Sequence, residues 1–242
     1  MSNLKRETEE NLRRLAENPY PGRGILLGRS PAGKIVQLYW IMGRSENSRN
    51  RKFTWEYGDL RTEPVDPALV KDPSLVIYRA MTETGGHFIV SNGDHTETLL
   101  ETVEAGGEYQ AAMRKRQHEP DDPHYTPRIA GSIFIENEKA RAWMGIIKPC
   151  RFNPQTSFRH SFEIEELTSG FGWLITTYRG NGTPLPPFVG EPMAIPLQEE
   201  GKSLLEWVWL RLNEANRISI ALKEIDEKTG KSQMYVINKY GN

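Results

Sequence analysis

The chain has 242 residues, with 31 Lys and Arg against 32 Asp and Glu for a formal net charge of −1, and it is 37% apolar and 10% aromatic. That balance excludes a broad duplex-binding surface, which needs clustered positive charge to displace counterions, and the apolar share excludes general disorder. A lone cysteine, Cys150, excludes an intrachain disulfide and a multi-thiolate metal site.

In chain order, residues 4–18 predict a helix: Leu4, Leu12, Leu15 and Ala16 fall near one face among charged residues, and Pro19 stops it. One thin apolar stripe buries little, so residues 1–19 are expected to be an appended surface helix and residues 20–242 a single domain. Residues 24–29 and 34–42 predict strands joined at Ser30-Pro31-Ala32-Gly33. Further strands are expected over 52–57, 75–81 and 87–91. Asp94 with Glu97 reads as a capping pair for a helix to Ala105, followed by a second helix over 108–117. Strands are then expected over 129–135, 140–147, 161–167 and 173–178. Five prolines between Gly180 and Pro196 predict ordered loop rather than sheet. Ser203 and Glu206 predict another capping box, and a hairpin of 218–225 and 233–238 closes the chain. Strand runs broken by a helix pair indicate α+β, with stacked sheets and helices outside. Apolar runs such as Ile25-Leu26-Leu27 fall far short of the roughly 20 residues of a membrane span, and the charged first 20 residues are no secretory signal, so a soluble cytoplasmic protein is expected.

Four segments carry more polar chemistry than packing demands. The stretch 43–52 holds Arg44, Arg49, Arg51 and Lys52 against Glu46; arginine forks suit phosphate, although a solvated loop explains the run equally well. Phe53 and Trp55 follow at strand spacing and read as core. In Ser91-Asn92-Gly93-Asp94-His95-Thr96 a strand ends and a helix begins, and backbone N–H groups share space with Asn92 and His95. Residues 118–128 crowd His118, Glu119, Asp121, Asp122, His124 and Arg128. That loop lacks metal-ligand spacing, so a carboxylate acting as acid, base or amide acceptor is the better reading and no metal is expected. Tyr78 lies on the strand face opposite Ile77 and Arg79, where a core tyrosine with a satisfied hydroxyl is the ordinary outcome.

Together and in this order, the arginine loop, Tyr78, the Ser91-Asn92-Gly93-x-His95-Thr96-x-Thr98 string and Thr126-Pro127-Arg128-Ile129-Ala130 resemble the archaeal-type inosine monophosphate (IMP) cyclohydrolase family. The Gly22-Arg23-Gly24-Ile25-Leu26 turn and strand is also similar. The resemblance covers about 22–148, with no clear match beyond Pro149. It implies a four-layer αββα fold similar to the N-terminal-nucleophile hydrolases, without self-cleavage. It implies closure of the formamido-imidazole carboxamide ribotide to IMP and water, the final step of de novo purine biosynthesis. No cofactor is implied, and a homo-oligomer is. By the same resemblance Tyr78, Glu119 and Asn92 are the catalytic candidates, and Arg44, Arg49, Arg51, His95, Asp122 and Arg128 the substrate-binding ones, with Arg49 first for phosphate. The loop from Glu119 to Thr126 is one residue longer than the family's, so Asp121 or Asp122 could take the carboxylate's place. Two other readings stay open. One is a nucleotide or single-stranded RNA-binding module using Arg49, Arg51, Lys52 and 114–116 with Trp55 and Tyr57. The other is an N-terminal-nucleophile amidohydrolase using Ser2 or Cys150.

Overall fold

The computed structural model describes residues 3–70 and 77–241. Ser2, Met1 and the first two residues of the strand expected over 75–81 lie outside the described residues. The fold is mixed α+β, built on two antiparallel sheets with few helices.

One sheet has six strands: β1 (Gly24–Arg29), β2 (Ile35–Met42), β10 (Phe171–Thr176), β11 (Met193–Pro196), β12 (Arg217–Ile225) and β13 (Ser232–Asn238), in the order β11-β10-β1-β2-β12-β13. The other is a seven-stranded meander in chain order: β3 (Lys52–Glu56), β4 (Asp59–Glu63), β5 (Tyr78–Thr84), β6 (His87–Ser91), β7 (Arg128–Glu136), β8 (Lys139–Pro149) and β9 (Ser157–Ile164). Helices α1 (Asn3–Glu17) and α5 (Gly201–Trp209) lie on the first sheet, α3 (His95–Glu104) and α4 (Tyr109–Arg114) on the second. A one-turn helix, α2 (Glu46–Arg49), interrupts the connection from β2 to β3.

Two-residue alternation sorts the apolar side chains between layers. Ile25 and Leu27 of β1 and Tyr39 and Ile41 of β2 face the second sheet, meeting Met81, Val90, Ile129 and Ile133 in the largest core cluster. Leu26, Leu38 and Trp40 point the other way, onto Leu15 of α1 and Leu204, Leu205 and Val208 of α5. On the far face of the second sheet, Ile89, Ala130, Trp143 and Ile147 pack on Leu99, Ala112 and Met113 of α3 and α4. Gly131 fits this scheme for a specific reason: a Cβ there would stand 3.0 Å from Leu27 Cδ1 and 3.1 Å from Ile25 Cγ2, so its absence lets the sheets approach.

Several expectations are corrected. The proline-rich stretch contributes β11 to the first sheet, an edge position where its terminal Pro196 costs no interior ladder bond. The unforeseen β4 has charged residues on its open face, which hid its alternation. Trp55 is 53% exposed, unlike Phe53 at 2%: on this edge strand only Phe53 joins the core between the sheets. Neither expected capping box forms. Asp94 makes no side-chain cap bond, and its carboxylate goes to Arg116 and Arg128 instead. Helix α5 starts earlier, at Gly201, whose N–H donates to Glu224 at 2.7 Å, so Ser203 already lies inside it.

Two glycines aim the arginine between them. Gly22 has φ +72°, and a Cβ there would fall 2.1 Å from Thr177 Oγ1; at Gly24 it would fall 2.0 Å from the Trp40 ring. The chain therefore passes flat against β10 and β2, while Thr177 ties Arg23 at both its N–H (3.0 Å) and its carbonyl (2.9 Å). Gly24→Ala must push Trp40 aside, an overpacking that costs about 1–3 kcal/mol. The urea midpoint of this variant should fall with the m-value unchanged; an unaltered midpoint would mean that Trp40 yields freely.

Candidate functional site

The start of β1 and the ends of β2 and β10 lie at one end of the first sheet. The start of β7 lies beside the end of β6 in the second. The segments continuing from these strand ends enclose a cavity of about 250 Å³ lined by Arg23, Arg44, Arg51, Glu119, Asp121 and Tyr178, among others. Its chemistry is three guanidiniums around one deeply buried carboxylate.

Arg44 is the rim arginine. Its guanidinium stacks 4.8 Å over the Tyr20 ring and donates to the Asn181 side chain and to the Gly182 carbonyl at 3.2 Å. Ser45, Asn47 and Ser48 of the same loop also line the cavity. Arg51 is deep, 3% exposed, and fixed by donation to the carbonyls of Ser48 (3.0 Å) and Met42 (3.3 Å). Burial, then the neighbouring Arg23, pulls its pKa down. For Arg23, burial opposes the charge, but Glu119 first and then three tyrosines outweigh it, so its pKa is raised. Its Nε is buried with no hydrogen-bond partner among the described residues.

Glu119 is 6% exposed. Among the described residues its carboxylate makes no hydrogen bond, so it is free to act on a bound molecule. Burial raises its pKa, opposed by Arg23 and Arg128 and helped by the Asp121 charge. Asp121 is committed elsewhere: it accepts from the Thr126 N–H at 2.6 Å and the Thr126 hydroxyl at 2.5 Å. Because Thr126 spends its proton on Asp121, the Tyr178 hydroxyl donates to Thr126 at 2.7 Å. One step behind the cavity wall, Tyr39 and Tyr78 share a hydrogen bond of 2.8 Å within electrostatic range of Arg23 and Arg51.

The structure thus brings Arg44, Arg51 and Glu119 to one cavity, with Tyr78 behind it. The other four sequence candidates for catalysis and binding in the turn and loops, and Arg49, take different places. Arg49 donates to the Gly43 carbonyl at 3.2 Å and is not among the lining residues; the one-turn α2 presents Arg51 instead. Asn92 is 1% exposed and uses both ends of its amide, donating to Pro127 O (2.9 Å) and accepting from Ile129 N (2.7 Å). It clamps the end of β6 to the start of β7. His95 is fully buried, with Nε2 on the Ile129 carbonyl at 3.1 Å and Nδ1 3.3 Å from Arg128 Nη1. Arg128 pairs with Asp94 at 2.6 Å and donates to Gln117 O at 2.9 Å, bracing the loop that carries Glu119. Asp122 is exposed and turned to the Tyr125 hydroxyl.

Residues not singled out from sequence complete the wall. Arg23 was visible only as part of a glycine-flanked turn, and Tyr20 and Tyr178 carried no local signal. Tyr178 and Leu185 come from the C-terminal third, which therefore contributes to the site. Among the described residues no group of three or more His, Cys, Asp and Glu could hold a metal ion, and no helix is long and apolar enough to cross a membrane.

Comparison with known proteins points to one family. The sequence model of a family described as IMP cyclohydrolase-like protein matches residues 20–229, running well past Pro149. A protein of Halobacterium salinarum named IMP cyclohydrolase is 31% identical over 133 residues, covering 53% of this chain and 63% of its own length. One of Methanothrix thermoacetophila with the same name is 29% identical over 169 residues, covering 67% and 76%. One of Methanocaldococcus jannaschii is 30% identical over 134 residues, covering 53% and 61%. The aligned part is thus less than two thirds of the Halobacterium protein.

The buried histidine makes an acid-linkage prediction. Burial, and next the Arg128 charge, lower the His95 pKa to about 3. The unfolded chain titrates near 6.5, so it binds the extra proton first and stability falls as pH drops from about 6.5 toward 3. The limiting slope is about 1.4 kcal/mol per pH unit. His95→Gln should flatten this part of the curve in urea titrations at pH 6 and pH 4.5. An unchanged slope would remove His95 as its source.

Proposed function

The chain belongs to the IMP cyclohydrolase-like protein family, and from that premise we propose that its arginine-lined cavity binds the formamido-imidazole carboxamide ribotide and closes it to IMP with loss of water. The observation that carries the reading is the convergence of Arg23, Arg44 and Arg51 on one buried carboxylate that no other side chain occupies.

Both reacting groups belong to one substrate, so the enzyme's task is orientation and proton traffic. The carboxamide nitrogen attacks the formyl carbon, forming the C–N bond while the carbonyl π pair moves to oxygen. Two N–H protons must leave, one from the carboxamide nitrogen as the C–N bond forms and one from the formamido nitrogen. The electron pair freed on the formamido nitrogen makes the ring C=N and expels the oxygen, which takes up both protons and departs as water. Glu119 takes each nitrogen proton in turn as carboxylate and returns it to the oxygen as carboxylic acid, so it ends the reaction as it began. Its raised pKa brings both forms closer to working pH than an ordinary glutamate would. Arg23 stabilises negative charge developing on the formyl oxygen. Tyr78, paired with Tyr39, supplies a hydroxyl beside these groups. The phosphate goes to Arg51 and Arg44, with Ser45, Asn47 and Ser48 as further polar partners. Held there, it helps offset the cost of orienting the ring. Asn92, His95 and Arg128 position the loops, and Arg49 steadies the phosphate loop.

A helix-sheet-sheet-helix sandwich of the N-terminal-nucleophile hydrolase type, a homo-oligomer and a cytoplasmic setting accompany this reading. An amidohydrolase using Cys150 has less support: the thiol is on the segment after β8 and is absent from the cavity lining. An RNA-binding role has less too, since Arg51 is buried and Arg116 is tied to Asp94.

Purified protein incubated with the ribotide should produce IMP, followed by absorbance; folded protein with no rate above buffer would end the proposal. Glu119→Gln should reduce kcat about 10²- to 10⁴-fold. In the wild type, the acidic limb of the kcat profile should lie above the ordinary glutamate range, near pH 4.3. Arg44→Ala should act chiefly on KM. Tyr78→Phe should slow turnover far more than it shifts the melting temperature; an unchanged rate would remove its hydroxyl from the mechanism.

A further inference from the structure

We propose that a second cavity, on the outer face of the seven-stranded sheet, binds a flat amino-substituted nitrogen heteroaromatic without phosphate, of the nucleobase or nucleoside class. Helices α3 and α4 cover only part of this face. Beyond the start of α4 an open recess of about 360 Å³ remains, within the range of small-molecule sites. Its walls include His87, Tyr109, Ser132, Phe134 and Trp143. None of these serves the first cavity.

The walls specify the ligand in three ways. Rings dominate them in two stacked pairs, His87 on Phe134 (4.2 Å between centroids) and Tyr109 on Trp143 (5.0 Å), which suits a planar guest. Next, one hydrogen-bond chain fixes a donor. Ser132 donates to the Tyr109 hydroxyl at 2.8 Å, so Tyr109 gives its own proton to His87 Nδ1. The remaining proton of the neutral imidazole is then on Nε2, which has no partner among the described residues and can donate to a ring nitrogen. Burial lowers the His87 pKa and so favours the neutral imidazole. Finally, Glu108, Glu163 and Glu165 stand at the recess with Arg141, which is itself paired with Glu136 at 2.9 Å. Glu163 spends one oxygen on Gln110 at 2.7 Å. The remaining carboxylate oxygens accept from an exocyclic amine and repel a phosphate dianion. A ring nitrogen next to an amino group, as in adenine or cytosine, meets both demands; the lactam edges of hypoxanthine and uracil do not.

Calorimetric titration of the full chain with adenosine, cytidine, inosine and uridine tests this. Adenosine and cytidine should bind saturably, one per chain and at least about tenfold tighter than inosine and uridine. Phe134→Ala should abolish binding, and Glu165→Gln, an exposed change that leaves the core untouched, should weaken it several-fold. Arg51→Ala, in the first cavity, should leave it intact. The proposal is overturned by no saturation at millimolar adenosine or by equal binding of uridine. Affinity that survives Glu165→Gln and Phe134→Ala but disappears with Arg51→Ala overturns it as well. Failure of ring closure with retained adenosine binding would remove the first-cavity function and leave this site standing.

Discussion

Two guanidiniums, Arg51 buried and Arg23 half-buried, beside one buried carboxylate are the constraint from which the rest of the site follows. Taking a charge out of water costs several kcal/mol, and here Arg23 and Arg51 share a single deep counter-charge, Glu119. Arg51 shows the imbalance as a lowered pKa, with the Arg23 charge among its causes. Such a cluster persists only if its members are held from outside. Arg51 is held by two backbone carbonyls, Arg23 by a backbone pinned to Thr177 between two glycines, and the Glu119 loop by Arg128. The surplus positive charge is what a dianionic ligand would neutralise, so the framework favours an anion over closing on itself.

The most recognisable string in the sequence is spent on backbone contacts. Asn92 and His95 lie beside the cavity in the chain, yet each is saturated by the backbone of β7: Asn92 by Pro127 and Ile129, His95 by the Ile129 carbonyl. A buried amide with both ends satisfied is a rigid staple, and leaving either end unpaired would carry the full desolvation cost. The string Ser91 to Thr96 and the string Thr126 to Ala130 occur together because they are two halves of one joint. What the joint delivers is the direction of Arg128 and, through it, the placement of Glu119.

Strand positions were legible because burial on a sheet follows a two-residue period. Ile25 and Leu27 against Leu26, or Tyr39 and Ile41 against Leu38 and Trp40, separate into two cores as alternation requires. Reading failed where the deciding partner is far away in the chain. Asp94 looks like a cap until Arg116 and Arg128 arrive to claim it. Arg49 and Arg51 are equivalent by composition, and only the unforeseen turn of α2 decides which one enters the cavity. Tyr178 has no local mark at all; its role depends on Thr126, 52 positions earlier. The carboxylate question raised by the longer loop also needed three dimensions: Asp121 is engaged by Thr126 and Asp122 by Tyr125, while Glu119 has no side-chain hydrogen bond among the described residues.

A net charge of −1 conceals how the charges are sorted. One recess collects arginines around buried strand ends, while the other gathers glutamates around a floor of rings. The first opens at the strand ends of both sheets, the second on the outer face of the seven-stranded one. β7 serves both, since Arg128 at its start braces the first site and Ser132 and Phe134 line the second. The fields differ in balance: three arginines outnumber two carboxylates around the first recess, and three glutamates outnumber one arginine around the second. On the two proposals above, a phosphate-bearing ligand is favoured at the first recess and disfavoured at the second, so one strand supports two sites of different charge preference.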